Sequence, residues 1–365
     1  MNCQDSRARY VIGFEQASKD DVSLIGGKCA GLASLIATGA TVPPGFAVTT
    51  QAYLETLAAR NLEREIGTRI KALTTPDLAV QDKLAREIQD LIRSEGIPDR
   101  ITAAIRVGYE KLCAWAGSDL PVAVRSSGTS EDLPEASFAG QGDTYLWTVG
   151  TNAVVDRVRD CWASLFTARA MAYREKHNFA HTEQAMAVGV QQMVHARAAG
   201  VAMSLDPSNG DRSKIVIESI WGLGEPLVSG QATPDLFVVD KVLLEPVKRV
   251  IAGKPSELVG DVANRATMLR KVEDERRNAA SLTDAQIRAV ARVVKTVERA
   301  FGAPQDVEWA IDPRRTEDEG VVLLQCRPET VWSRKENGPV LSKRYAPGIE
   351  GVLSTLLTPL ASRNY

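Results

Sequence analysis

Arg125 stands at the end of a short apolar run, Val122-Ala-Val124, and opens a patch of small hydroxylated residues, Ser126, Ser127, Thr129 and Ser130. Downstream, Ser137-Phe-Ala-Gly-Gln-Gly142 is a small-residue loop leading into the strand-like run Thr144 to Trp147. A guanidinium at a strand end beside a glycine loop, whose N–H groups can approach an anion closely, is phosphate-binding chemistry. A second cationic segment is Gly26-Gly27-Lys28. The spacing of Leu32, Leu35 and Ile36 predicts a helix behind it, which places these three residues at a helix N-terminus that favours anions. The spacing of a Walker A loop is absent. Near the other end, alternation in Asp306 to Ile311 turns Val307, Trp309 and Ile311 inward and puts Asp306 and Glu308 on the opposite face. In Val321 to Arg327, Gln325 and Arg327 share a face. If the two strands pair, Glu308 and Gln325 lie side by side as hard oxygen ligands suited to Mg²⁺, with phosphate and water completing its shell. Arg327 would then hold a phosphate oxygen nearby. Taken singly, each segment also fits an ordinary turn or a solvated hairpin.

The intervening sequence predicts the elements that hold these groups. Val11 to Phe14 reads as a strand. Val42-Pro-Pro-Gly45 turns into a second strand, and Thr50 can cap a helix from Ala52. Residues 55–117 read as helical scaffold, with Thr75-Pro76 as a helix start and Gly96 and Gly117 as stops. One stripe there is Val80, Leu84, Ile88, Leu91 and Ile92; another is Ile101, Ile105, Tyr109 and Leu112. Val154 to Lys176 is again helical. Ala187 to Val194 reads as a strand whose main chain can pair with a purine edge while Met193 covers its face; a core strand fits the same residues. Strands over Gly200–Leu205, Lys214–Ser219 and Pro234–Asp240 follow, then a charged, irregular stretch. Thr283 and Gln286 form a capping box for a helix with Ile287, Val290, Val294, Val297 and Phe301 on one face, ending at Gly302.

Composition bounds the reading. The chain has 365 residues, 44% hydrophobic and 25% charged, an ordinary globular balance for two or three domains. A formal net charge of −2 argues against a nucleic acid or an anionic membrane as partner. No apolar run reaches spanning length, and the first residues lack a basic-then-apolar signal pattern. Five scattered cysteines without a Cys-x-x-Cys fit reduced thiols and a cytoplasmic location. With three histidines and no Cys/His pair at ligand spacing, a zinc site is not expected.

Four blocks together, Gly26-Gly-Lys28, Val122-Ala-Val-Arg-Ser-Ser127 with Ser137-Phe-Ala-Gly-Gln141, Trp221-Gly-Leu-Gly-Glu225, and Asp306-Val-Glu-Trp309 with Gln325-Cys-Arg-Pro-Glu-Thr330, carry a resemblance. In that order, over residues 10–333, they are similar to the nucleotide-binding part of the family of phosphoenolpyruvate synthase, pyruvate phosphate dikinase and rifampin phosphotransferase. The resemblance implies an α+β fold of the ATP-grasp type, two lobes closing over ATP. Residues 1–185 would form the N-terminal lobe with the phosphate-binding groups. Residues 186–333 would form the C-terminal lobe with the adenine strand and Mg²⁺ ligands, and 334–365 a tail.

Carried over position by position, Lys28, Arg125 and Arg327 contact phosphates and are the catalytic candidates. Gly140 and Gln141 belong to the covering loop, and Thr144 and Glu225 count with the nucleotide ligands. Gln192, Met193 and Val194 meet adenine, and Glu308 and Gln325 bind Mg²⁺. The family's carrier histidine, in a Thr-Ser-His context, has no counterpart, since His177, His181 and His195 stand in other contexts. The implied role is the ATP-binding subunit of a split dikinase. It would pass the β-phosphoryl group of ATP to a histidine on a separate partner subunit, with AMP and phosphate as products. The final acceptor would be phenol, as in the similar ATP-binding subunit of phenylphosphate synthase. Pyruvate or an antibiotic is the alternative acceptor. A non-catalytic ATP-binding regulator is the other class, and the retained Lys28, Arg125, Glu308, Gln325 and Arg327 argue against it.

Overall fold

A computed structural model of the chain describes residues 9–72, 77–116, 119–129, 132–133, 136–137, 142–176, 184–316 and 320–333. In order, β1 (Val11–Gly13), α1 (Val22–Ala37) and β2 (Gly45–Val48) precede four scaffold helices, α2 (Thr50–Ala59), α3 (Leu62–Lys71), α4 (Leu78–Glu95) and α5 (Asp99–Ala116). Then come β3 (Val122–Gly128), the short β4 (Asp132–Leu133) and β5 (Ala136–Ser137), β6 (Thr144–Thr148), α6 (Thr151–Ser164) and α7 (Ala168–Lys176). The strands β7 (Met186–Gln192), β8 (Ala198–Met203) and β9 (Lys214–Trp221) lead to α8 (Glu225–Val228) and β10 (Asp235–Asp240). Last are β11 (Pro246–Val250), β12 (Ser256–Asp261), β13 (Ala266–Lys271), α9 (Asp274–Arg277), α10 (Asp284–Phe301), β14 (Gln305–Ile311) and β15 (Val321–Pro328).

Two sheets organise these elements. One has the order β1-β2-β7-β3-β6 and the other β11-β10-β9-β8-β14-β15; β12 and β13 form a separate hairpin. One face of the first sheet packs on the scaffold helices through Val48, Val124, Val188 and Val190, joined by Ile88, Ile105, Tyr109 and Trp162. The core face of the second sheet carries Ile217, Phe237, Val307, Trp309 and Ile311. It is covered by Ile287, Val290, Val294 and Val297 of α10 and by Ile25, Leu32 and Leu35 of α1. Each such buried aliphatic side chain contributes about 1.5–3 kcal/mol, so α10 is fixed by its stripe. Its start and stop follow the sequence reading: Thr283 and Gln286 close a capping box, and Gly302 ends the helix in the left-handed region.

Several expectations are corrected. The strand read as Val122–Val124 continues through Gly128, because β7 pairs with all of it, Met186 opposite Gly128. The Ser127 hydroxyl is also satisfied, donating to Ile25 O at 2.9 Å and accepting from Cys29 N at 3.2 Å. The α2 cap is Thr49, which accepts from Ala52 N; Thr50 is the first helical residue and donates to Ser23 O. Pro76 and Thr75 lie outside the described residues, and the described α4 cap is Asp77. The single span 154–176 is two helices. Most consequentially, β7, assigned from sequence to the second lobe, is an interior strand of the first sheet. Its partners on both sides are β2 and β3, so the crossing between sheets falls after Gln192 and not at residue 185. The chain divides instead into one compact unit ending at Glu329 and a second beginning at Thr330. Among the described residues, no helix is long and apolar enough to cross a membrane.

Helix α1 is bent where the sequence reading placed its start. Gly26 has φ 73° and ψ 168° inside it, so Gly27 and Lys28 begin a new helical segment. A Cβ at Gly26 would stand 2.0 Å from Ser127 O. We predict that Gly26→Ala costs about 1–3 kcal/mol for the left-handed backbone alone, with the clash adding to it. Urea denaturation measures this, and a change within about 0.5 kcal/mol, the level of an inert surface substitution, would contradict it.

Candidate functional site

The cleft faces of the two sheets meet at Arg125. The residue is in the middle of β3, opposite Thr144 of β6 and Gly189 of β7. In β14 and β15, Glu308 is directly opposite Gln325, and Asp306 opposite Arg327, as the alternation predicts. A register shift follows Glu308, so Leu324 bulges out of the ladder; such a bulge re-aims neighbouring groups. Arg125 Nη2 donates to Glu308 Oε2 and to Gln325 Oε1, both at 2.8 Å, while Nη1 donates to the bulged Leu324 O at 3.2 Å. The ion pair is mostly shielded, with the Arg125 and Glu308 side chains 18% and 23% exposed.

Beside this cluster is a cavity of about 140 Å³. The first sheet lines it with Ala123, Arg125, Thr144 and Leu146, the second with Gly200, Glu308, Ala310 and Leu324. Gln192 at the end of β7 and the linker residues Met193 and Val194 form its back wall, and Leu223, after β9, closes it with Glu225 and Val228 of α8. Its volume is below the roughly 300–1,000 Å³ of sites that engulf whole ligands. It suits one apolar ring system, with the charged remainder of the ligand lying toward Arg125. The Gln192 N–H donates to Pro44 O and the Met193 N–H to Pro121 O, both at 2.9 Å, whereas the Val194 N–H has no partner among the described residues. One main-chain donor is thus left at the wall for the edge of a heterocycle.

Of the remaining sequence candidates, Lys28 lies next to the cluster: it borders a small gap with Arg125 and Gln325, and its Nζ donates to Ser126 O at 3.0 Å. Arg327 is two residues beyond Gln325, about 7 Å along the strand, and bonds Asp306 through Nε at 2.8 Å. It does not line the 140 Å³ cavity. Gly140, Gln141, His177 and His181 lie outside the described residues. A larger cavity, about 840 Å³, lies at the linker's other side, lined by Trp147, His195, Arg265 and Arg314. It contains none of Arg125, Glu308 and Gln325, whereas the smaller one is lined by Arg125 and Glu308.

Mg²⁺ fits what is present in one respect: Glu308 Oε2 and Gln325 Oε1 already converge on a single cationic nitrogen. Among the described residues no three His, Cys, Asp or Glu side chains gather as a metal site. The protein would therefore supply two hard oxygens and leave other positions to phosphate and water, the usual arrangement for Mg²⁺.

Residues 22–345 match the family model described as pyruvate phosphate dikinase, AMP/ATP-binding domain. The chain belongs to this family. It is 42% identical over 327 residues to a probable phosphoenolpyruvate synthase of Methanothermobacter thermautotrophicus, covering 89% of this chain and 47% of that one. It is 41% identical to the phosphoenolpyruvate synthase of Aeropyrum pernix, over 90% of this chain and 43% of the relative. The Pyrococcus furiosus phosphoenolpyruvate synthase is 37% identical, with 88% and 44% covered. The chain spans less than half the length of these relatives.

For a member of the AMP/ATP-binding family, two residues missed by the sequence reading stand out. Gln191 is one position before the expected Gln192 and is 3% exposed. It lines both the 140 Å³ cavity and the gap beside Lys28, and its buried Nε2 has no partner among the described residues. Both Gln191 and Gln192 line that cavity, and the pairing of Gln191 with Ala123 of β3 and Gly45 of β2 is what puts it there. Glu218 is the second. It is opposite Val201, which is opposite Glu308, and directly paired residues share a face. Burial, and then the Asp306 charge, raise its carboxyl above the usual range. Asp306 itself is raised by burial against the opposing pull of Arg327.

An orphaned buried donor is costly to the protein alone and useful to a ligand. We predict that Gln191→Leu leaves the thermal midpoint unchanged or higher and weakens ATP binding by about tenfold. That is the scale of a hydrogen bond to a charged group, roughly 1.5 kcal/mol or more. Calorimetric titration with ATP decides; unaltered affinity in a folded variant would remove Gln191 from the site.

Proposed function

We propose that the chain is the nucleotide-binding part of a dikinase and that its two sheets close on Mg²⁺–ATP in the ATP-grasp manner. The observation that carries this reading is the convergence of Arg125, Glu308 and Gln325 within hydrogen-bond distance, beside an apolar cavity with a main-chain donor. Adenine would occupy that cavity, against Met193 and Leu223. The triphosphate would run toward Arg125 and Lys28, with Arg327 next along β15. Positioned cations of this kind neutralise charge that spreads over the phosphoryl oxygens during transfer. Mg²⁺ held by Glu308 and Gln325 would supply further neutralisation when bound.

The β-phosphoryl group would pass to a histidine, with ATP and water yielding AMP and phosphate. His195 is a poor carrier: it lines the larger cavity and stands edge-on to Trp147, ring centroids 4.9 Å apart. On this reading the carrier belongs to another domain or a partner subunit. Pyruvate is the final acceptor favoured by the relatives' names, and phenol the second reading, favoured by the likeness to the phenylphosphate synthase subunit.

The chain alone is expected to bind ATP and release products slowly. With a protein bearing the carrier histidine, labelled ATP should give AMP and an acid-labile phosphoprotein, separable by thin-layer chromatography and gel autoradiography. Glu308→Ala should abolish both. Pyruvate or phenol then discharges the label and names the acceptor. ADP as the sole nucleotide product, or full activity of Glu308→Ala, would overturn the reading.

A further inference from the structure

Glu308 and Gln325 are not waiting as open ligands. Their oxygens are both engaged by one nitrogen of Arg125, each at 2.8 Å, and the other terminal nitrogen is fixed by Leu324 O at 3.2 Å. The guanidinium thus stands where three oxygens from β14 and β15 converge. It reaches there from β3, on the opposite sheet. We infer that Arg125 is a resident cation plug: in the nucleotide-free chain it fills the metal position and closes the site to free divalent ions, so that metal and nucleotide load together. The inference rests on the proposed assignment of Glu308 and Gln325 as metal ligands.

Charge and geometry both lead there. A guanidinium at hydrogen-bond distance already neutralises Glu308, so an incoming divalent ion must compete with a preformed pair. Mg²⁺ needs oxygen ligands at about 2.0–2.1 Å and dehydrates reluctantly. A carboxylate and an amide shared with Arg125 cannot give it that shell. A triphosphate changes the balance, because it offers Arg125 a bidentate anionic partner and brings phosphate oxygens for the metal. Arg125 then moves from carboxylate to phosphate, and Glu308 is released. Each charge keeps an opposite partner before and after. The position selects for the metal–nucleotide complex as the species that binds, and Arg125 becomes the residue that sets this specificity.

The test is Mn²⁺ binding followed by the electron paramagnetic resonance signal of free Mn²⁺, on the full chain. Without nucleotide, wild type should bind Mn²⁺ no more tightly than Glu308→Gln, which sets the background of surface carboxylates. Arg125→Met should gain a nucleotide-independent site at least about tenfold tighter, the scale of removing one charged hydrogen-bonded competitor. The double variant should lose that gain. Arg125→Gln, which keeps a neutral donor to Glu308, gives the same comparison should Arg125→Met not fold. With adenosine 5′-(β,γ-imido)triphosphate present, wild type should bind one Mn²⁺ tightly and Glu308→Gln should not. Equal, weak binding by wild type and both Arg125 variants without nucleotide, while Glu308→Gln still loses the nucleotide-dependent site, would overturn the plug and leave the metal assignment standing. Tight nucleotide-dependent binding retained in Glu308→Gln would overturn the metal assignment itself.

Discussion

The pairing of Arg125 with Glu308 is the interaction on which the site depends. It joins the cleft faces of two sheets that also share α1 and a common apolar core, and it does so with little solvent around it. A shielded pair of this kind is strongly destabilising to break by removing one partner, so each sheet must present its charge at a fixed height. For the first sheet this is achieved by burying β3 between β7 and β6 and by tying Ser127 to both sides of the bend in α1. For the second it is achieved by the bulge at Leu324, which lets Glu308 and Gln325 face the cleft while Trp309 and Leu323 remain in the core.

The same arrangement gives the cleft two ends of different environment. Met193, Leu146 and Leu223 make one end of the cleft apolar, with the unpartnered Val194 N–H as its polar group. The other end is ionic, and there the acidic row of Glu308, Glu218 and Asp306 is balanced by Arg125 and Arg327. Burial pushes two of those carboxyls toward the neutral form.

What could be read from the sequence were features carried by short-range spacing. The capping box of α10, its apolar stripe and the pairing of Glu308 with Gln325 all follow from periods of 3.6 and 2. Features set by distant partners were not legible. An all-apolar strand such as Met186–Val190 gives no sign of which sheet it joins, so β7 was assigned to the wrong one. The bend at Gly26 exists because Ser127, far away in sequence, occupies the space a side chain would need. Gln191 and Gln192 could be told apart only by register, and a one-residue shift exchanges the two faces.

The position of β7 also bears on how the chain is made. The first sheet is finished by a strand that leaves the ribosome after every scaffold helix and after β3 and β6. Until then β2 and β3 each expose an unpaired edge, a template for association with other chains. Pairing that spans so much sequence is slow, because loop closure precedes the contacts that reward it. The ion-paired core of the site therefore cannot begin to assemble during synthesis of the N-terminal half. It also needs β14 and β15, which carry Glu308 and Gln325 and leave the ribosome last of the described strands.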